Sequence, residues 1–173
     1  AFPLFTADEA MALPPLHGGG RFVACAAGNI PNIVLGRALG ATPDGRRAGE
    51  PLADATSPFF GRDRKGPTAI LNSMARTACG RILGGRVANL KFDPEHFAGE
   101  EGARRFAAFT HFFVAHRIQE LQINFTGNRL LHEAKRHPER HRHLVVRVSG
   151  FSAYFTQLAP EVQDDIIRRR AHA

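Results

Sequence analysis

The chain has 173 residues, 43% hydrophobic and 23% charged. That balance excludes disordered, collagen-like and membrane-spanning classes, and the length suits one domain able to bury roughly 70% of its unfolded surface. Subtracting 16 acidic from 23 basic residues leaves a formal charge of +7, but the basic residues are spread along the whole chain, and one Tyr with no Trp leaves little for base stacking. Nucleic acid is therefore not an expected partner. No apolar run approaches the roughly 20 residues of a membrane-spanning helix, and Ala1–Phe5 lacks the basic-then-apolar order of a secretory leader. The two cysteines, Cys25 and Cys79, stand in no short metal-ligand spacing, so a reducing, cytoplasmic setting is expected and no metal site is.

In chain order, residues 1–20 carry Pro3, Pro14, Pro15 and Gly18-Gly19-Gly20 and read as an irregular lead-in. Arg21–Ala27 is predicted as a buried strand. The stretch that follows, up to Pro67, is dense in turn chemistry and reads as a long loop, either one that binds or covers something or a plain surface excursion. Thr68–Leu71 is a short apolar segment. Val87–Phe92 alternates as a half-buried strand. Glu100 and Glu101 open a helix with negative charge at its positive end, and Phe106, Phe109 and Phe113 recur along one core-facing side.

Leu121–Phe125 is predicted as a strand with Gln122 and Asn124 on the face opposite Leu121, Ile123 and Phe125. A short helix over about Asn128–Arg136 is stopped by Pro138. Leu144–Val148 is the most strand-like run and ends at Ser149-Gly150. The last helix has Pro160 in its first turn, Glu161, Asp164 and Asp165 early, and Arg168, Arg169 and Arg170 late. Strands alternating with helices give an α/β fold class, and the long loops argue against a complete closed sheet.

Gly150 stands out on chemistry. A glycine ending a strong strand is ordinarily a turn residue, yet the flanking sequence Arg147-Val148-Ser149-Gly150-Phe151-Ser152-Ala153-Tyr154 suggests a buried glycine loop. Other clusters are weaker. His137, His141 and His143 sit among Lys135, Arg136, Arg140 and Arg142, whose charge opposes a cation, so they read as a solvated basic segment. Gly18-Gly19-Gly20 lacks the Lys-Ser/Thr of a phosphate loop. Asp44, Arg46 and Arg47 read as an anion site or as a structural ion-pair cluster that locks a turn, the second being the ordinary arrangement for an Asp beside paired arginines. Cys25 and Cys79 read as small buried apolar residues.

Arg147-Val148-Ser149-Gly150-Phe151 resembles the signature loop of the glycyl radical enzymes, the family of pyruvate formate-lyase, the glycerol and diol dehydratases and the arylacetate decarboxylases. Phe151 stands where that family most often has Tyr. Thr42-Pro43-Asp44-Gly45-Arg46-Arg47, with its flanks from Gly40 to Ala53, is similar to an upstream loop of the same family. Gly61–Ala69 continues that likeness, and Leu121–Phe125 resembles the strand before the radical loop.

The resemblance implies that Gly150 stores a backbone radical within a loop of Arg147, Val148, Ser149, Phe151, Ser152 and Tyr154. A radical-SAM activating enzyme with an iron-sulfur cluster would install it, and no cofactor would be bound by the chain itself. An oxygen-sensitive, anaerobic lyase, dehydratase, decarboxylase or formate acetyltransferase chemistry would follow, with the radical passed to a cysteine thiyl outside this chain, because no Gly-Cys-x-Glu motif is present. The implied organisation is a lead-in over 1–20 and the C-terminal part of a β/α barrel over 21–173, incomplete as a barrel, with the radical domain at about 120–173. Implied partners are the activating enzyme, an upstream catalytic region or larger subunit, and a second copy in a homodimer. A stand-alone radical-carrying module that complements another chain and a non-catalytic relic are the alternatives.

Overall fold

The computed structural model of the chain describes residues 8–15, 18–25, 30–77, 82 and 84–172. Its centre is a three-stranded parallel sheet of β1 (Val87–Phe92), β2 (Glu120–Phe125) and β5 (Ala171–His172), in the order β2-β1-β5. β1 and β2 are joined by α3 (Gly99–Ala115), the helical crossover that parallel strands require. The architecture is α/β, as alternation along the chain predicted.

The register explains the two layers. Ala88, Leu90 and Phe92 lie level with Leu121, Ile123 and Phe125, and this apolar face packs on α2 (Pro67–Ala75) and α3. Ile70, Leu71 and Met74 come from α2, and Phe109 comes from α3 with Phe106 and Phe113 beside it, as their spacing foretold. Phe92 is fully buried, its ring 5.3 Å from Phe109 and 4.7 Å from Phe97. Burying such side chains contributes about 1.5–3 kcal/mol each.

The opposite face carries Asn89 and Lys91 level with Gln122 and Asn124. All four are buried, so β1 is covered on both sides rather than half-buried as expected. What covers this polar face is a C-terminal layer of α4 (Asn128–Arg136), the hairpin β3 (Val145–Arg147) and β4 (Ser152–Tyr154), and α5 (Pro160–Arg168). Its own apolar cluster contains Leu131, Val146, Val148, Phe155 and Ile166, with Ile33 from α1 (Pro31–Ala38).

Three expectations are corrected. Residues 21–25 form no strand and are exposed or half-exposed, since they find no strand partner, and Ala26 and Ala27 lie outside the described residues. Residues 8–12 of the lead-in are helical. The stretch before Pro67 contains α1, which Pro31 initiates at its first turn and Ile33 anchors in the core. Beyond α1 the chain is irregular to Gly66, and a buried arginine braces its first part. Arg46, 3% exposed, donates to the carbonyls of Gly36, Gly40, Arg47 and Glu50.

Candidate functional site

β3 and β4 pair antiparallel with Val146 opposite Ala153 and Arg147 opposite Ser152, leaving Val148-Ser149-Gly150-Phe151 as the tip. The Val148 N–H donates to Phe151 O at 2.9 Å and closes the tip. Gly150 turns it with φ +79°, in the left-handed region that a side chain would disfavour by about 1–2 kcal/mol.

The tip is docked on the polar face of the sheet by side chains rather than by backbone pairing. Asn124 acts as a surrogate strand, accepting from Arg147 N at 2.7 Å and donating to Arg147 O at 2.7 Å. Gln122 Oε1 accepts from Gly150 N at 2.7 Å and from Arg147 Nε at 3.3 Å. Ser149, 1% exposed, donates from Oγ to Asp54 Oδ1 at 3.1 Å, and Asn89 Nδ2 donates to Asp54 Oδ2 at 2.6 Å. Arg169, just beyond α5, donates to Val148 O at 2.8 Å and pairs with Asp165 at 3.0 Å and Asp54 at 3.5 Å.

Burial pushes the Asp54 carboxyl above the usual value, opposed first by Arg169 and then by the Ser149 hydroxyl. Lys91, below Asn89 on the same face, donates to Asn128 Oδ1 at 2.5 Å and to the Ile166 and Ile167 carbonyls at 3.0 Å. It thereby caps the C-terminal end of α5, where the helix leaves carbonyls without intrahelical donors. Its position locates Arg169 two residues further on.

The sequence-predicted loop residues thus come together, but with a difference. Val148 and Ser149 are buried and Arg147 half-buried, whereas Gly150, Phe151, Ser152 and Tyr154 are exposed. The expected buried glycine is corrected accordingly: the sheet grips one side of the tip, and among the described residues nothing covers the other.

Thr42, Pro43, Asp44, Gly45, Arg46 and Arg47 lie apart, with no hydrogen bond to the hairpin among those described. The expected ion-pair cluster is also corrected, because Arg46 turns to backbone carbonyls instead of Asp44. Asp44 accepts from Thr42 Oγ1 at 2.5 Å, which holds its carboxyl below the usual value. The Arg47 amide donates to Glu50 Oε2 at 3.0 Å. The link from this region to the site runs through α1, where Asn32 Nδ2 donates to Asp165 Oδ1 at 3.2 Å.

Cys25 is exposed, which overturns its reading as a buried apolar residue, and Cys79 lies outside the described residues. His137 and His141 face Glu139 and Glu133 at 3.7 and 3.4 Å. Asp54, Asn89, Lys91 and Arg169 are site residues that sequence reasoning did not single out. A signal existed for two of them, since the alternation in Val87–Phe92 puts Asn89 and Lys91 on a common face.

The family model described as "Glycine radical" matches residues 52–156, more than half of the chain, from the edge of the Asp54 loop through Gly150 and past β4. The chain belongs to the glycyl radical family. It is 40% identical over 155 residues to the probable dehydratase YbiW of Escherichia coli, covering 89% of this chain and 19% of that protein. To the isethionate sulfite-lyase of Nitratidesulfovibrio vulgaris it is 38% identical over 143 residues, 82% of this chain and 17% of that one. The glycerol-bound B12-independent glycerol dehydratase from Clostridium butyricum superposes with a TM-score of 0.93 at 34% identity, over 98% of this chain and 22% of that structure. This chain therefore spans about a fifth of the length of these relatives. Asp54, Asn89, Gln122, Asn124 and Gly150 all fall within the stretch matched by the glycyl radical family model. No helix among the described residues is long and apolar enough to cross a membrane.

Proposed function

We propose that this chain is the radical-storing part of a glycyl radical lyase or dehydratase, with the unpaired electron held on the Gly150 α carbon and passed to a cysteine outside this chain. The observation that carries the reading is Gly150 at the tip of a hairpin whose neighbours Arg147, Val148 and Ser149 are held by the side chains of Asn124, Arg169 and Asp54. A radical on a backbone carbon is stabilised by the amide nitrogen on one side and the carbonyl on the other, provided the centre can flatten, and a side chain would hinder that. A radical-SAM activating enzyme, with its iron-sulfur cluster, supplies the abstraction of one hydrogen atom from Gly150. The hydrogen is regained from a cysteine S–H, which leaves the thiyl that attacks substrate.

The residues of this chain hold the carbon in place. Asn124, Gln122, Asp54 and Arg169 fix the loop from Arg147 to Gly150, and the exposed side of the tip gives the activating enzyme access. A catalytic region carrying the thiyl cysteine, whether in the same polypeptide or in a larger subunit, would then cover that side and exclude water and oxygen. The exposed Val145, Phe151 and Tyr154 suit a surface that is covered in turn. Completion of a barrel by the parallel sheet belongs to the same proposal. In the complete enzyme, Gly150→Ala is expected to abolish the radical signal after anaerobic activation, and an undiminished signal would refute the assignment. Oxygen should cleave the activated backbone at Gly150, giving a shorter fragment by mass spectrometry; an intact chain would favour a non-catalytic relic.

A further inference from the structure

The Gly150 amide is held by one side chain whose own orientation is imposed. Its N–H donates to Gln122 Oε1 at 2.7 Å, while Gln122 Nε2 donates to Glu120 Oε1 at 2.6 Å. The carboxamide cannot turn over without losing both contacts, so its oxygen end is committed to the loop. Arg147 Nε donates to the same oxygen at 3.3 Å. Gln122 is 4% exposed and stands on β2, which is paired with β1 along its whole length, so the acceptor sits on a rigid element. The anchors that hold the loop to the sheet and to the residue after α5, on Arg147, Val148, Ser149 and the Gly150 N–H, lie on the amide side of the Gly150 α carbon. On the other side, Phe151 and Ser152 are exposed, tied by the hairpin backbone and by a 3.5 Å donation from Arg147 Nη1 to Ser152 Oγ within the hairpin itself.

We propose, resting on the reading of Gly150 as the radical carbon, that Gln122 is a positioning residue for that radical: by gripping the Ser149–Gly150 amide it sets how far the unpaired electron spreads onto the amide nitrogen. Overlap of the flattened carbon's orbital with the nitrogen lone pair is greatest when the chain runs extended through the N–Cα bond, and smallest when the two planes cross at a right angle. At φ +79° the gripped amide stands near the crossed orientation. Spreading the electron onto nitrogen therefore requires rotation about N–Cα. With the amide held, that rotation is carried by the Phe151 side of the loop. Without the grip, the amide itself is free to turn, and the share of the electron on nitrogen changes.

The test uses the complete enzyme containing this chain, activated anaerobically with isotopically labelled glycine in the protein and read by electron paramagnetic resonance. A parent signal that is not broadened by label at the glycine α carbon, or that survives Gly150→Ala, would overturn the reading of Gly150 itself. Given a Gly150 signal, Gln122→Leu is expected to shift the amide-nitrogen and amide-proton couplings while the α-proton splitting is retained. Glu120→Leu, which frees the Gln122 carboxamide without touching Gly150, should give a smaller shift in the same direction. The double exchange E120Q/Q122E keeps an oxygen facing Gly150 and should restore the parent couplings. Unchanged couplings in Gln122→Leu and Glu120→Leu would overturn the proposal. Should Gln122→Leu fail to fold, Glu120→Leu decides the matter alone.

Discussion

Lys91 is 1% exposed, and among the described residues no carboxylate accepts from it; its acceptors are two helix-end carbonyls and the Asn128 amide oxygen. Burial, reinforced by the positive charge of Arg169, brings its pKa from the usual 10.5 down to about 8. The difference corresponds to about 3 kcal/mol disfavouring the ammonium in the folded chain. At pH values below 8 both folded and unfolded chains carry the proton and the whole penalty is in force. Between about 8 and 10.5 the folded amine is neutral while the unfolded one still binds a proton, so stability rises with pH across that window.

Lys91→Met removes the penalty and its pH dependence, but it leaves the Ile166 and Ile167 carbonyls without this donor, a loss of roughly 1–3 kcal/mol. The two effects nearly cancel at neutral pH. Near pH 10.5, where a neutral lysine still donates, the variant should be less stable than the parent by about 1–3 kcal/mol. Urea denaturation of parent and variant across this pH range, followed by circular dichroism, isolates the contribution of Lys91 because the other titrating groups cancel in the difference. Parallel stability curves for the two proteins would refute the reasoning.

Arg169→Met should cost about 3–5 kcal/mol, since it leaves the buried Asp54 and Asp165 carboxylates and the Val148 carbonyl without their cation. Denaturation midpoints should show the deficit shrinking in acid, where the carboxyls take up protons; a loss below about 1 kcal/mol at neutral pH would contradict a structural role for this ion pair. Gly36→Ala should destabilise the chain by roughly 1–3 kcal/mol, because a Cβ there would meet the backbone of Glu50, Pro51 and Leu52, and a thermal melt unchanged from the parent would show that the α1 contact is looser than described.

Hydrophobic period and end signals were enough to read the elements that pack in the simplest way. The phenylalanine spacing of α3, the alternation of β2, the Pro138 stop after α4 and the Pro160 start of α5 all correspond to observed elements. α1 was hidden, because it is short and stands among prolines and glycines that mark turns. The strand expected at residues 21–27 shows the opposite error: an apolar run becomes a strand only when another strand offers its edge, and residues 21–25 find none.

Part of the site was legible in the same way. The motif around Gly150 could be read in the chain's local order, and alternation in Leu121–Phe125 placed Gln122 and Asn124 on a face of their own. What that face is for could not be read there. Asp54 meets Ser149 from 95 residues away, and Arg169 meets Asp54 from 115, so neither contact leaves a mark on local spacing. Sequence alone determined the strongly periodic or well-capped elements, β1, β2, α3, α4 and α5, and which of their residues share a face, because those follow from periods of a few residues. Only the tertiary structure decided that the buried polar face of β1 and β2 is the clasp for the Gly150 tip, because a buried carboxylate, carboxamide or ammonium finds its partners by packing across the whole fold.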